Sequence, residues 1–235
     1  MRTPHYKQLG QMVRAARRGH DWRMASRYAF LVDTYATEIL KVLSAWAMVD
    51  EADLDVRPRN GDRRGRTLRE HMVHQCQSEH GWFANMLGIG VPMEPLPAER
   101  TKLAFLEHYA AAAEHRRAQL ALQDDGWWEA DAPFFELMRP RSWIMTRRIA
   151  HTAHHRGQQT ALLRVFGRAL YSIYGPTADT GGLPKDKAPV VYAYPDAATL
   201  LAGAARGGRR RALPPPPQYP VTELADGAAG RPERS

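Results

Sequence analysis

The chain has 235 residues, of which 44% are hydrophobic, and this is enough for one sizeable core. No apolar run is long enough to span a bilayer, and residues 1–20 do not have the pattern of a secretory signal, so we expect a cytoplasmic protein without a membrane partner. The single Cys76 excludes an internal disulfide and a thiolate zinc site, so any metal would be bound by His, Asp or Glu. The net charge of +8 favours anionic ligands, but a solvated surface is the preferred interpretation because the arginine clusters fall in terminal or linking segments: Arg14, Arg17, Arg18, Arg63, Arg64, Arg66, Arg206, Arg209, Arg210 and Arg211.

The first strong element follows an N-terminal extension of residues 1–22, which has only a weak amphipathic pattern. Residues 25–48 contain neither Pro nor Gly, and their apolar positions recur every three or four residues, which predicts a long helix. The positions expected to face inward are Phe30, Leu31, Thr34, Tyr35, Glu38, Ile39, Val42, Leu43 and Trp46. Residues 50–66 are polar and contain Pro58 and Gly61, so they are predicted to form a loop.

A second helix is predicted from Thr67, its N-cap, to about residue 87. Glu70 stands three residues after Thr67, the spacing of a capping box. The apolar stripe of this helix is Leu68, Met72, Cys76, Phe83 and Met86. Glu79 lies within the stripe, where a carboxylate needs a partner. Either it pairs with an arginine of the last helix such as Arg148, which we favour, or it supports a metal ligand.

Thr101 caps a third predicted helix, which ends near residue 122. Its inward positions are Leu103, Leu106, Tyr109, Ala113 and Leu120. The segment 124–141 is read as an aromatic loop because Gly126, Pro133 and Pro140 interrupt it; its large side chains are Trp127, Trp128, Phe134, Phe135 and Met138. Such a loop either covers one end of a core or forms the wall of a ligand pocket.

The fourth predicted helix runs from an N-cap at Ser142 to about residue 167 and contains a cluster of histidines. Steps of four and three give an inward stripe of Ile144, Arg148, His151, His155, Gln158, Leu162 and Val165 or Phe166. On a helix, His151 and His155 would lie about 40° apart in azimuth and roughly 5–6 Å apart at Cβ. Inward imidazoles need partners, so these are either hydrogen-bonded core residues or metal ligands.

Four amphipathic helices joined by long connections predict an all-α fold, a four-helix bundle over residues 23–170. The composition changes afterwards. Residues 171–205 alternate apolar residues with Gly and Pro and are expected to form an irregular strap with a short helix at about 195–205. Residues 206–235 are rich in Gly, Arg and Pro and are predicted to be a disordered tail.

A third metal ligand would have to come from another helix, because open metal sites with His ligands commonly use three protein side chains. The second helix offers His71, His74 and His80. His71 flanks the apolar stripe on the Trp82 side, whereas His74 lies well off its centre. The helical pattern therefore does not decide among them.

Two motifs resemble those of the DinB-like superfamily, four-helix metalloproteins that include thiol-dependent S-transferases and isomerases. The first runs from Thr67 to His74 and continues to Glu79 and Trp82; the second is His151-x-x-x-His155-Arg156-Gly157-Gln158. The resemblance covers about residues 25–167, and it implies a fold of DinB-like type with His74, His151 and His155 as metal ligands. His71 remains a reserve ligand, and the residues expected around the ligands are Glu79, Arg148, His154 and Gln158. The chain beyond Tyr171 is not part of the pattern.

The resemblance implies a divalent ion such as zinc, nickel or iron, and a function as a metal-dependent thiol S-transferase, or a hydrolase-like enzyme, acting on a small-molecule substrate. Three neutral imidazoles would leave the ion its full charge, so a thiol or water at an open position would lose its proton near neutral pH. The co-substrate would be a low-molecular-weight thiol. The alternative is a non-catalytic bundle in which the metal or the histidines hold helices together, as in a homodimer. A nucleic-acid-binding protein is the third reading, which no recognition motif supports.

Overall fold

The computed structural model describes residues 26–208, 210–215, 217 and 221. Its helices are α1 (Ala29–Ala47), α2 (Leu68–Met86), α3 (Lys102–Ala121), α4 (Asp125–Glu129), α5 (Arg141–Val165) and α6 (Ala197–Ala205). Two short strands, β1 (Asp131–Phe134) and β2 (Leu137–Pro140), form one antiparallel hairpin. The predicted all-α bundle is therefore confirmed, with the four long helices α1, α2, α3 and α5 in the predicted positions. No helix in this part of the chain is both long and apolar enough to cross a membrane.

The core of the bundle forms where α1 packs against α3 and α5, and where α2 packs against α5. Trp46 of α1 lies at its centre, fully buried, with its ring 5.0 Å from that of Tyr109 and 6.3 Å from that of Phe105. Cys76 of α2 is only 3% exposed, and burial raises the pKa of its thiol to about 12. The single thiol is therefore a buried, uncharged core residue.

The start of α2 is fixed by the predicted capping box. The Thr67 side chain accepts a hydrogen bond from the Glu70 backbone N–H, and the Glu70 carboxylate accepts one from the Thr67 N–H at 2.8 Å. Two of the unpaired backbone donors at the helix start are thereby satisfied. This turn also determines where His71 and His74 lie.

The predicted start of α5 is wrong by two residues. Ser142 lies inside the helix, and its carbonyl accepts a bond from the Thr146 hydroxyl; the N-cap position is held by Pro140, which makes no side-chain cap bond. The reason is that α5 begins directly where strand β2 ends, so the hairpin rather than a polar side chain sets the first turn.

Two predicted stripes also need correction. Gln158 of α5 is exposed, and so is Val165, whereas the alternative position Phe166 packs against the core. The neighbouring face is buried as well, through Thr152, Arg156, Gln159 and Leu163. On α1, Phe30 and Thr34 are exposed because they lie four residues apart on the outer face of the helix, whereas Leu31 in the same turn is buried. Buried polar residues replace part of the expected apolar contact; for example, Trp46 donates to Gln159 Oε1 at 2.9 Å.

The segment predicted to be an aromatic loop contains α4 and the β1–β2 hairpin. The hairpin turn passes through Phe135, whose φ of +53° is in the left-handed region. Its apolar side chains lie against α2, because the rings of Phe134 and Phe135 have centroids 5.4 and 6.3 Å from that of Trp82. The hairpin therefore forms a wall beside the middle of α2 and α5.

The C-terminal extension crosses the bundle without forming a sheet in the described part of the chain. Ser172 donates from its backbone N–H to Val191 O at 2.8 Å, and α6 packs against α1 and α3. At Gly203 of α6 a Cβ would lie only 2.4 Å from the Tyr194 ring, so this close approach requires glycine. The predicted extension of residues 1–22 and most of the predicted tail lie outside the described residues.

Candidate metal centre

Three histidines from two helices converge inside the bundle. His74 lies on α2, while His151 and His155 lie one turn apart on α5. The Nε2 atom of His155 is 3.0 Å from Nε2 of His74 and 3.2 Å from Nε2 of His151. All three rings offer a ligand atom within 4.8 Å of the others. The structure therefore brings together the three residues that the motif resemblance predicted as ligands.

These separations fit a shared cation. Two nitrogens bound to one ion at about 2.1 Å lie about 3.0 Å apart at a right angle and about 3.4 Å apart at the tetrahedral angle. The same distances also suit hydrogen bonds between rings, so the position of the protons is needed to choose between the two.

Gln158 indicates where the proton of His155 lies. Its Oε1, which can only accept, is 2.7 Å from His155 Nδ1, so the proton of a neutral His155 is on Nδ1 and its Nε2 has only a lone pair. His74 and His151 both present Nε2 to that one lone pair, which can accept one good hydrogen bond. A cation uses all three lone pairs at once and satisfies the cluster better than hydrogen bonds between its members.

The ring of His151 is oriented by an aromatic contact. Trp82 of α2 stacks on it with centroids 5.6 Å apart and planes 26° from parallel. The Nδ1 atom of His151 is buried and has no hydrogen-bond partner within the described residues. Packing by Trp82 therefore positions this imidazole, whereas Gln158 positions that of His155.

All three imidazoles are held in the neutral form that a metal ligand requires. Burial, together with the Arg148 guanidinium and the neighbouring rings, lowers the pKa of His151 to about 3. Burial and then the charge of Arg66 lower the pKa of His74 to about 4. Burial also lowers the pKa of His155. The cluster thus carries free lone pairs rather than protons at neutral pH.

A buried carboxylate lies next to this cluster on α2. Glu79 is fully buried and accepts hydrogen bonds from Arg116 Nη1 at 3.3 Å, from the Tyr109 hydroxyl at 3.2 Å and from the Tyr35 hydroxyl. Arg148 Nη2 is 3.7 Å from Glu79 Oε2, the oxygen that also accepts from Tyr109. The sequence predicted this ion pair between Glu79 and Arg148. Arg148 also lies over the Trp82 ring, 5.4 Å from its centroid, and Trp82 stacks on His151, so these two side chains connect Glu79 with the histidines.

Tyr35, Tyr109 and Arg116 were not predicted as part of the site. Tyr109 was predicted to face inward on α3, and Arg116 stands seven residues later, two helical turns along the same face. That spacing is a signal that would have indicated Arg116 as a partner for Glu79. Burial and the Glu79 charge raise the pKa of both tyrosines well above its usual value, so both hydroxyls keep their protons and donate.

Two other predicted histidines lie next to the cluster but outside it. His71 is buried on α2 with its ring centroid 5.7 Å from that of His155, and it is not one of the three converging residues. His154 is exposed, and its ring packs edge-on against His155 with centroids 5.0 Å apart. His80, the third candidate on α2, also lies outside the cluster.

The comparisons with known proteins agree with this fold. A sequence model described as the DinB family matches residues 40–184. A crystal structure of a DinB-like protein from Bacillus cereus is similar with a TM-score of 0.51 and 18% sequence identity, covering 61% of this chain and 95% of that one. At this level of identity, the likeness concerns the fold alone. No curated protein matches the chain.

Proposed function

The chain belongs to the DinB family, and we propose that it is a metal-dependent enzyme in which His74, His151 and His155 bind one divalent cation. The observation that carries the proposal is the convergence of three Nε2 atoms at separations of 3.0 and 3.2 Å. The three side chains that converge are all imidazoles. Among the described residues, no carboxylate or thiolate belongs to this group. Such a set suits zinc, nickel or iron.

A divalent ion in this position would keep its full charge and lower the pKa of a thiol or water at its remaining positions. Neighbouring side chains orient the three histidines and keep them neutral, as binding of the ion requires. Gln158 keeps the proton of His155 on Nδ1, so that Nε2 faces the other two rings. Arg148 disfavours a proton on His151 and His74, and Trp82 prevents the His151 ring from turning.

The reaction we propose is transfer of a low-molecular-weight thiol to an electrophile. The sulfur forms a bond to a carbon atom of an epoxide or halide, the carbon–oxygen or carbon–halogen bond breaks, and the thiol proton goes to solvent or to the opened oxygen. Two features support this choice: the motif resemblance to thiol S-transferases, and the aromatic hairpin, whose Phe134 packs between Trp82 and Trp143 beside the histidines. Apolar surface at that place suits an apolar electrophile.

The test measures metal and thiol in the same preparation. We expect untagged protein to contain about one zinc, nickel or iron ion per chain and to consume a low-molecular-weight thiol with an epoxide or alkyl halide. His74→Ala should lose both the metal and the activity. His80→Ala is the matched control, because it removes a histidine from the same helix outside the cluster, and it should keep both.

Two results would contradict the proposal. Metal-loaded protein that neither binds nor consumes thiols would exclude the S-transferase. The second result is a steep fall in the melting temperature of His151→Ala together with loss of its metal. Such a fall would mean that the ion contributes folding energy, and the non-catalytic bundle would then be the better explanation. For an open catalytic site we expect loss of metal with a smaller loss of stability.

A further inference from the structure

A cleft of about 720 Å³ opens beside the histidine cluster, between the loop that precedes α2 and the second half of α5. Its polar lining includes Arg63, Arg64, Arg66, His71 and Gln158. We propose that this cleft binds the anionic group, a carboxylate or a phosphate, of a small molecule.

The charge of the cleft is not neutralised by its own residues. Arg64 pairs with Asp62 at 2.9 Å, but Arg63 and Arg66 make no ion pair or side-chain hydrogen bond with any described residue. Glu70, the acidic residue of the lining, is occupied elsewhere: its carboxylate accepts from Arg57 at 2.7 Å and from the Thr67 N–H. Two guanidinium groups therefore remain available for an anion.

The arginines are presented by a segment that the structure holds in place. Arg57 Nη1 donates to the backbone oxygen of Gly65 at 2.5 Å, while its other nitrogen binds Glu70 at the start of α2. A Cβ on Gly65 would lie 3.0 Å from the Pro58 ring, so the two sides of the loop are in close contact. A fixed loop loses less conformational freedom on binding than a mobile one.

His71 supplies the second, independent indication of a ligand. Its side chain belongs to the cleft lining, is only 4% exposed, and has a buried Nδ1 atom without a hydrogen-bond partner among the described residues. A buried ring nitrogen without a partner is costly. A turn of the ring that brings Nδ1 to the wall of the cleft would let it donate a hydrogen bond to an oxygen of a bound carboxylate or phosphate.

The position of the cleft connects it with the histidine cluster. Gln158 lines the cleft and also binds Nδ1 of His155, whose other nitrogen faces His74 and His151. An anionic group in the cleft would thus lie one side chain away from a proposed metal ligand. The inference that the bound anion belongs to a substrate rests on the proposed function. The inference that the cleft binds an anion does not depend on that function.

The experiment titrates inorganic phosphate, and separately succinate, into the full chain at constant ionic strength and follows binding by calorimetry. All titrations use the His151→Ala background, so that an anion cannot bind through the metal. We expect Arg63→Gln/Arg66→Gln to weaken binding by about tenfold or more, because two charge-assisted contacts are lost. His71→Phe, which keeps a ring in the buried position without the donor, should weaken it as well.

Arg59→Gln is the control for loss of positive charge, because it removes one guanidinium group, half of what the double variant loses, from an exposed position of the same loop outside the cleft lining. We expect it to change the affinity by less than about twofold after the ionic strength is matched. Binding of either probe that follows this pattern supports the site and names its anion. Equal weakening by Arg59→Gln, or no saturable binding of either probe at millimolar concentrations, overturns the proposal. Because the titrations contain no metal site, these outcomes are independent of whether the metal proposal holds.

Discussion

At the scale of single residues, the clustered imidazoles differ from ordinary surface histidines in their affinity for protons. Burial and nearby guanidinium groups lower the pKa of His74 to about 4 and that of His151 to about 3. A lowered pKa means that the neutral form persists as the pH falls, so protons compete with a metal only in strongly acidic solution.

We therefore expect the zinc affinity of the protein to fall much less between about pH 7.5 and about pH 5.5 than the affinity of unperturbed histidines would, because the pKa of each of the three rings is lowered. Three unperturbed histidines, each with a pKa of about 6.5, would lose about 1,000-fold in affinity over that interval. Competition with a chromophoric chelator at both pH values, with a flexible three-histidine peptide as the control, measures the difference. A loss as large as that of the peptide would show that the rings are protonated in the folded chain.

The sequence predicted part of this site directly. The spacing of His151 and His155 places two imidazoles on one face of a helix, and the structure has them there. His74 came only from the motif resemblance, because it lies off the apolar stripe of α2 and is half-buried in the structure. Arg66 was interpreted as a surface charge. It lowers the pKa of His74 because the loop before α2 folds back towards the helix, and residue spacing does not reveal the conformation of that loop.

At the scale of elements, the first two turns of α2 carry His71 and His74, so the capping box that fixes the start of this helix should matter for stability. We expect Thr67→Ala to lower the free energy of unfolding by about 1 kcal/mol, equivalent to about 2–4 °C in melting temperature for a chain of this size. Urea unfolding followed by circular dichroism measures it.

Thr37→Ala is the control for this change. Thr37 is exposed inside α1, where its hydroxyl donates to the Thr34 carbonyl oxygen at 2.7 Å, and alanine is the better helix former. We expect no loss of stability there. An equal loss in both variants would mean that the Thr67 cap does not contribute.

The four long helices were predictable because their apolar spacing and two of their caps are local signals. The hairpin was not. Its strands have four residues each and, within the described residues, pair only with each other. Pro133 and Pro140, which lie within them, are typical of loops. The turn uses Phe135 with a positive φ, where a sequence signal would require Gly or Asn. The start of α5 was missed for the same reason, because it depends on that hairpin.

At the scale of the whole molecule, Glu79 connects all four long helices. It lies on α2 and contacts Tyr35 of α1, Tyr109 and Arg116 of α3, and Arg148 of α5. The side chains of Glu79, Arg116 and Arg148 are at most 3% exposed. One carboxylate therefore offsets two buried cations at the point where the helices meet.

We expect Glu79→Gln, which keeps the shape but removes the charge, to destabilise the fold by about 3 kcal/mol or more, because two guanidinium groups would remain buried without an anion. Glu107→Gln, an exposed position on α3, is the control and should change stability by less than about 0.5 kcal/mol. Thermal and urea unfolding of both variants measure the difference. A Glu79→Gln variant as stable as the control would mean that solvent reaches this network.

The buried position of Cys76 has a chemical consequence for a chain proposed to bring thiols and electrophiles together. A cysteine reacts with alkylating or oxidising agents as the thiolate anion. Here the sulfur is enclosed by the bundle, and its raised pKa keeps it protonated. If the proposed reaction is correct, the protein would consequently be spared self-inactivation by its own reactants. Damage to this side chain would occur only in molecules that have first opened, and would therefore proceed at the pace of unfolding.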